Sequence, residues 1–188
     1  EFFKAMVAVF LLRRLREFNE PVDGLIYSMT VALGFAAFEN IEYTVNGGLG
    51  VLVVRSFTAV PLHVGLASIW GTGIARAKFY KGGGYVKTVI PYVIPAALLH
   101  TFYNLYHFMN PDSPFALLFA LMFSFIVIMY ASKKLRFFLK ESPFRKAGIC
   151  PVCGTANGFW ARYCKNCGSY LVSDYFALCE SCGTRNRP

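Results

Sequence analysis

Charged side chains are scarce in this chain of 188 residues, of which only 15% are Asp, Glu, Lys or Arg. Soluble proteins carry roughly 25% charged residues, and 56% of the residues here are hydrophobic. The mean hydropathy of +0.46 is therefore too high for an ordinary soluble domain. Acidic residues are scarcer still, 10 against 19 basic ones. In a membrane protein an excess of Lys and Arg marks cytoplasmic loops, an interpretation we favour over nucleic-acid binding.

Cysteine is absent from residues 1–132, which hold nearly all of the long apolar runs. All six cysteines lie in the polar, basic remainder. We therefore predict a membrane-embedded helical domain at 1–132 and a basic linker at 133–148, followed by a zinc ribbon at 149–172 and the start of a second, truncated ribbon at 173–188. The sequence lacks an initiator Met and stops within "CESCGTRNRP". We expect both ends to be incomplete, with further helices upstream.

Five apolar runs are candidates for membrane-spanning helices, each of which needs about 20 mostly apolar residues. One is partial and four are full: 2–12, 24–45, 50–79, 85–109 and 114–132. We expect Pro61 to interrupt the third run, and the fourth contains Pro91 and Pro95. The predicted fold class is an all-α polytopic membrane protein with about five visible transmembrane helices and a small C-terminal zinc-ribbon domain.

The basic residues predict the orientation of these helices. The segments "RRLREFNE", "RAKFYKGGGYVK" and "KKLRFFLKESPFRK" follow the first, third and fifth runs, whereas the loops "NGGLG" and "NPDSP" contain no Lys or Arg. A five-helix zigzag places every basic segment on one side of the membrane and both neutral loops on the other. This arrangement predicts a multi-pass protein of the cell membrane with its cysteine-rich tail in the cytoplasm.

Four ionisable side chains fall at one depth of the predicted membrane domain. Glu1, Glu39, His63 and His100 each lie roughly 18 to 22 Å from the cytoplasmic end of their helix, at 1.5 Å per residue. A lone histidine is often a packing residue, and Glu1 has a pairing partner one turn away in Lys4. Two glutamates and two histidines at one depth instead favour a functional site, because such groups avoid lipid and face the bundle interior.

Histidines and carboxylates are the ligand types of a catalytic zinc site. Glu39, His63 and His100 are the tentative metal ligands, and a nearby carboxylate is suited to act as a base. Asn40 and Asn104 are candidates for orienting a ligand or binding a developing oxyanion. The same buried groups also fit a proton or ion path.

These residues resemble the PrsW family of membrane-embedded proteases, distant relatives of the CAAX prenyl proteases. That family carries "EExxK", "FxxxEN", a third motif with Arg and then His, and "HxxxN/D" on successive helices. The matching residues are Glu1 and Lys4 in "EFFK", Phe35 to Asn40 in "FAAFEN", Arg55 and His63 in "RSFTAVPLH", and His100 and Asn104 in "HTFYN". The first glutamate of "EExxK" has no counterpart in this sequence.

The resemblance implies a peptidase that acts on membrane-anchored proteins, the known type of substrate being an anti-sigma factor. It implies that Glu1 is the general base, and that Glu39, His63 and His100 are metal ligands or their neighbours. A glutamate-dependent mechanism without metal, which has been argued for the relatives, stays open. Two other classes also stay open: a transporter or channel that uses the same buried groups, and a pseudo-enzyme scaffold that recruits partners through the ribbon.

The cysteine tail carries a zinc-ribbon signature. Its first four cysteines form C-x2-C, ten residues, C-x2-C: Cys150, Cys153, Cys164 and Cys167. Each C-x2-C presents two thiolates to one face of a tetrahedral zinc ion. Cys179 and Cys182 repeat the first half and predict an incomplete second site. We expect the ribbon to contact a protein, because it lacks the basic run and the aromatic platform of a nucleic-acid-binding surface.

Overall fold

The computed structural model describes residues 1–15, 17–80, 84–110, 113–142, 149–150, 152–157 and 163–170. Its helices are α1 (Phe2–Leu12), α2 (Pro21–Phe57), α3 (Ala59–Phe79), α4 (Tyr85–Met109) and α5 (Ala116–Glu141). The chain divides into two compact units, Glu1–Phe137 and Phe138–Pro188. The predicted helical character of the first unit is confirmed.

Helix α2 begins where the sequence provides an N-terminal cap. Glu20 is the capping residue, Pro21 occupies the first helical turn, and Asp23 completes a reciprocal capping box. The Asp23 carboxylate accepts hydrogen bonds from the backbone N–H groups of Asn19 and Glu20, both at 3.0 Å. These contacts satisfy donors that a helix start leaves unpaired, and they fix α2 to begin at Pro21, three residues before the predicted span at 24–45.

The chain reverses direction inside α2, at Gly48. The Arg55 Nε atom lies 2.7 Å from the Asn40 Oδ1 atom, although the two residues are 15 positions apart. An unbroken helix would separate them by about 22 Å. Gly48 has φ 76° and ψ 179°, a conformation that glycine adopts readily because it lacks a Cβ. The turn falls within the predicted loop "NGGLG" and brings the segment 49–57 back alongside the preceding part of α2.

The predicted interruption of the third apolar run exists, but it lies at Thr58 and not at Pro61. Thr58 has φ −114° and ψ −68°, and α3 starts at the next residue. Pro61 sits in the first turn of α3, where its missing N–H removes no intrahelical hydrogen bond. The Ser124 hydroxyl of α5 donates to the Thr58 carbonyl at 2.7 Å. The Thr58 hydroxyl donates to the Val54 carbonyl at 2.9 Å.

Helix α3 packs against both α2 and α4, and small residues allow the close approach. A Cβ added at Gly71 would lie 2.8 Å from the Ser28 Cβ of α2, and one added at Gly73 would lie 2.8 Å from the Tyr92 Cδ2 of α4. Small residues at helix contacts are typical of membrane bundles, where van der Waals packing drives association. Thirteen residues of α3 are buried, among them His63 and Trp70.

Two helices in the described part of the chain, α2 and α5, are long and apolar enough to cross a membrane. Helix α5 continues to Glu141, beyond the predicted end of its apolar run at 132. Large apolar side chains such as Phe38, Val45 and Phe108 are at least 71% exposed. Such exposure fits a lipid-facing surface, and the arrangement of five spans stays a prediction.

The described part of the second unit contains two isolated β-bridges, Ile149 with Ala156 and Tyr163 with Tyr170. Its buried cluster consists of Cys150 and Cys164. In the part of this unit that the structure describes, the packed cluster is thus formed by cysteines.

Candidate functional site

The first turn of α1 carries a buried ion pair. The Lys4 Nζ atom lies 2.7 Å from the Glu1 Oε1 atom, and the Glu1 side chain is fully buried. Residues three apart on a helix face the same way. The ammonium also lies 4.3 Å from the centre of the Phe35 ring, so that α2 contributes one wall of this pocket.

His63 of α3 joins this pair to Glu39 of α2. Its Nδ1 atom lies 2.7 Å from the Lys4 Nζ atom, and its Nε2 atom lies 3.1 Å from the Glu39 Oε2 atom. An ionised carboxylate only accepts and an ammonium only donates. The proton of a neutral His63 ring is therefore assigned to Nε2, with Nδ1 accepting from Lys4. The imidazole is held at both nitrogens and is 1% exposed.

His100 of α4 also contacts Glu1. Its Nδ1 atom lies 3.0 Å from the Glu1 Oε1 atom, which assigns a proton to Nδ1 for the same reason. The His100 and His63 rings meet edge to face, with centroids 5.0 Å apart. Four helices thus deliver ionisable groups to one point of the bundle.

Arg55 lies on the segment after the reversal at Gly48 and binds both Glu39 and Asn40. Its Nη2 atom donates to the Glu39 Oε2 atom at 3.1 Å, and its Nε atom donates to the Asn40 Oδ1 atom at 2.7 Å. The guanidinium also lies 3.7 Å from the centre of the Tyr43 ring. Arg55 thereby holds both Glu39 and Asn40 in one orientation.

The structure brings together six of the seven residues that the sequence singled out for the reaction: Glu1, Lys4, Glu39, Asn40, His63 and His100. Asn104 is exposed, and its part in the site stays a prediction. Sequence reasoning missed Trp70, a residue type that is more often core or lipid-facing in a membrane bundle. Its indole N–H donates to the Glu1 Oε2 atom at 2.9 Å. The available signal was its position seven residues after His63, on the same helix face.

The geometry of Glu1, His63 and His100 fits the donor set of a divalent metal. Candidate ligand atoms of the three residues all lie within 4.8 Å of one another. Donors at about 2.0 to 2.1 Å from a tetrahedral ion are roughly 3.3 Å apart. The Glu1 Oε1 atom lies 3.0 Å from His100 Nδ1 and 3.9 Å from His63 Nδ1. This set differs from the predicted one, because Glu39 bonds the far nitrogen of His63. A metal would also compete with the Lys4 ammonium for Glu1 and His63.

The four cysteines of the second unit form a compact cluster. Cys150 and Cys167 have sulfurs 3.6 Å apart, as do Cys153 and Cys164. A tetrahedral zinc ion with bonds of about 2.3 Å requires sulfurs roughly 3.8 Å apart. All four thiols are free. The observed spacing therefore fits a zinc site made of four cysteines, as the C-x2-C pairs predicted.

Each C-x2-C pair forms the same turn. In the first, the Gly154 N–H donates to the Cys150 carbonyl at 2.9 Å, and in the second the Gly168 N–H donates to the Cys164 carbonyl at the same distance. Hydrogen bonds with the side chain and the backbone of Thr155 are the main cause that lowers the pKa of the Cys153 thiol to about 6. A lower pKa favours the thiolate, the form that binds metal.

Asn157 links the two turns of the cysteine cluster. Its Oδ1 atom accepts a hydrogen bond from the Lys165 N–H at 2.9 Å, and its Nδ2 atom lies 3.6 Å from the Cys164 sulfur. Such contacts behind the ligands orient them and adjust their basicity. The predicted second pair, Cys179 and Cys182, lies outside the described residues.

The helices and the buried cluster define the class of protein. It is helical, two of its described helices are long and apolar enough to cross a membrane, and a site of Glu, Lys and His lies between its helices. A family model described as "PrsW family intramembrane metalloprotease" matches residues 1–131. The chain therefore belongs to the PrsW family, and the resemblance seen in its motifs is confirmed.

Several curated relatives share this region, and each carries the printed name "Protease PrsW". The protein of Oceanobacillus iheyensis is 32% identical over 104 residues, which are 55% of this chain and 48% of the relative. That of Geobacillus kaustophilus is 39% identical over 79 residues, 42% of this chain and 35% of the relative. That of Bacillus subtilis is 33% identical over 87 residues, which are 46% of this chain and 40% of the relative. The chain thus spans less than half the length of these relatives. No solved structure matches it.

Proposed function

We propose that this protein is a membrane-embedded endopeptidase that cleaves membrane-anchored protein substrates at the Glu1–His63–His100 cluster. The observation that carries the proposal is the convergence of Glu1, Lys4 and two histidines on one point of the bundle. All four lie within the region that the family model matches. Buried ionisable groups are costly in a membrane and are retained where they are used. The names of the relatives support proteolysis as that use.

Glu1 is the proposed general base. Its Oε1 atom faces His100 and Lys4, and a carboxylate so placed accepts the proton of an attacking water while the neighbouring cation stabilises its charge. The His100 side chain is 17% exposed and is therefore the more accessible of the two histidines. Its Nε2 atom is suited to exchange a proton with the substrate.

Glu39, Asn40 and Arg55 have a supporting role in this proposal. Glu39 orients His63 through the far ring nitrogen, and Arg55 fixes Glu39 and Asn40 in turn. Contacts of this kind preorganise a site, so that it does not have to rearrange during the reaction. Asn104, one turn after His100 and exposed, is proposed to contact the substrate.

Zinc is the proposed metal of both clusters. In the membrane site His63 and His100 would hold it, with Glu1 beside it as the base and Glu39 behind His63, and it would supply Lewis acidity towards the scissile carbonyl. In the tail, Cys150, Cys153, Cys164 and Cys167 would hold a structural zinc ion in a ribbon that is proposed to lie in the cytoplasm and to contact a protein. The bundle itself is proposed to cross the cell membrane several times.

The test is cleavage of a membrane-anchored reporter by the purified protein in lipid vesicles. Replacing Glu1 by Gln keeps the shape of the side chain and removes the base, so we expect cleavage to fall by about 10²- to 10⁴-fold. Glu42→Gln is the matched control, because Glu42 lies on α2 near the site but is exposed. A Glu1→Gln variant that still cleaves at the wild-type rate would overturn the proposal. Loss of proton flux, without any cleavage by the wild type, would favour a transporter instead.

A further inference from the structure

Trp70 is the largest fully buried side chain among the described residues, and its only polar atom faces the proposed catalytic base. The indole is 0% exposed. Its N–H donates to the Glu1 Oε2 atom at 2.9 Å, across 69 positions of the sequence. The Glu1 side chain is also fully buried. The contact is therefore enclosed in the bundle, where a hydrogen bond to a charged group is strong.

The two oxygens of Glu1 have different partners. The Oε1 atom accepts hydrogen bonds from Lys4 at 2.7 Å and from His100 at 3.0 Å, whereas the Oε2 atom accepts one from the Trp70 indole. Both donors to Oε1 are ionisable groups of the site. The indole N–H is a neutral donor that neither gains nor loses a proton in the reaction. Trp70 therefore fixes the rotation of the carboxylate without taking part in proton transfer.

The surroundings of Trp70 hold the ring in place. It belongs to the same buried cluster as Ala5 and Ala8 of α1, the helix that carries Glu1. The next residue, Gly71, is packed so closely that an added Cβ would lie 2.8 Å from Ser28. The indole thus reaches from α3 to Glu1, at the start of α1, from within a closely packed core that leaves a large side chain little room to change rotamer.

We propose that Trp70 is a positioning residue that holds the Glu1 carboxylate with its Oε1 edge towards His100 and Lys4. The proposal rests on the proposed function, since it assigns a role relative to the base of that reaction. It goes beyond the four family motifs, none of which includes Trp70. The competing explanation is that Trp70 only fills the core and that its N–H merely finds a partner, as buried indoles usually do.

The experiment replaces Trp70 by 3-benzothienylalanine, which keeps the bicyclic ring and exchanges the N–H for sulfur. The same replacement at Trp160, the other tryptophan of the chain, is the matched control. Because hydrogen bonds to charged groups are the stronger class, we expect kcat for the membrane-anchored reporter to fall by about 10- to 100-fold with KM within about twofold. A kcat that stays at the wild-type value would overturn the proposal.

A second measurement tests the contact without activity. In a Trp160→Phe background Trp70 is the one remaining tryptophan, so the ¹⁵N–¹H resonance of its indole can be followed alone. We expect that resonance to move when Glu1 is replaced by Gln and to stay in place in Glu42→Gln. An indole resonance that Glu1→Gln leaves unmoved would overturn the contact. A wild-type protein that cleaves no membrane-anchored reporter would instead overturn the proposed function. The response of the indole resonance to Glu1→Gln would still test the contact between Trp70 and Glu1.

Discussion

The two clusters of this protein are assembled in opposite ways. The Glu/His cluster joins residues as far apart as Glu1 and His100, and its members already bond one another through Lys4. The cysteine cluster is local, from Cys150 to Cys167, and among the described residues around it the buried cluster consists of Cys150 and Cys164. We infer that folding creates the first site, whereas metal binding creates the second. A metal in the first would serve chemistry, and a metal in the second would serve stability.

The largest effect should come from removing one ligand of the cysteine cluster. Structural zinc sites of this kind supply about 10 to 16 kcal/mol of apparent binding free energy. We expect Cys150→Ser to lose that zinc and to unfold residues 149–172, with the helices unchanged. Zinc content and the NMR dispersion of the tail would show this. Cys179→Ser is the matched control. A tail that stays folded in Cys150→Ser, or in the presence of a chelator, would mean that metal binding does not create the second site.

Replacing Lys4 tests whether the Glu/His cluster is held by its own charges. Lys4→Met leaves the buried Glu1 carboxylate without its cation, which should cost about 3 to 5 kcal/mol. The free energy of unfolding in detergent measures this, and Lys87→Met, at an exposed lysine of α4, should be nearly neutral. Lys4→Met combined with Glu1→Gln should lose less than the sum of the two single changes. Additive losses would mean that the pair does not act as a unit.

Asn157 offers a smaller change in the cysteine cluster. Asn157→Ala removes the link between the two turns but none of the ligands. Loss of such a supporting contact typically lowers metal affinity by about 10- to 100-fold. Competition with a chelator for zinc would measure it. Asn166→Ala, at a neighbouring exposed asparagine, is the control. An unchanged zinc affinity in Asn157→Ala would show that the four sulfurs alone set the geometry of the site.

The smallest effect should come from Arg55→Lys, which keeps the charge and removes the fork that holds Glu39 and Asn40. The pair is partly exposed, so we expect a loss of about 1 kcal/mol or less in stability. Lys cannot reproduce the contact with both Glu39 and Asn40. We therefore expect the loss in kcat, expressed as a free energy, to exceed the loss in the free energy of unfolding. Thermal unfolding and kcat measured together would reveal that difference. Equal losses in both would reduce Arg55 to a structural residue.

The sequence predicted the helices well, because apolar runs and basic segments are strong one-dimensional signals. It misplaced the interruption before α3, since a proline such as Pro61 disrupts a helix interior but not a first turn. Counting 1.5 Å per residue placed Glu1, Glu39, His63 and His100 at one depth. Depth alone does not say which way a side chain points, so the grouping of Asn104 with these residues stays a prediction. Trp70 was missed because its role depends on a partner 69 positions away.

For a bundle that crosses the membrane as proposed, the reversal at Gly48 affects how the chain enters the bilayer. A carboxylate at mid-membrane costs about 2.5 to 3.5 kcal/mol on insertion scales. Glu39 and Arg55 lie on the two arms of one hairpin, only 16 positions apart. They can therefore pair while the hairpin is being inserted, before α4 has been synthesised. The acidic group of the "FAAFEN" motif would then pass from the insertion machinery into lipid as half of a neutral pair.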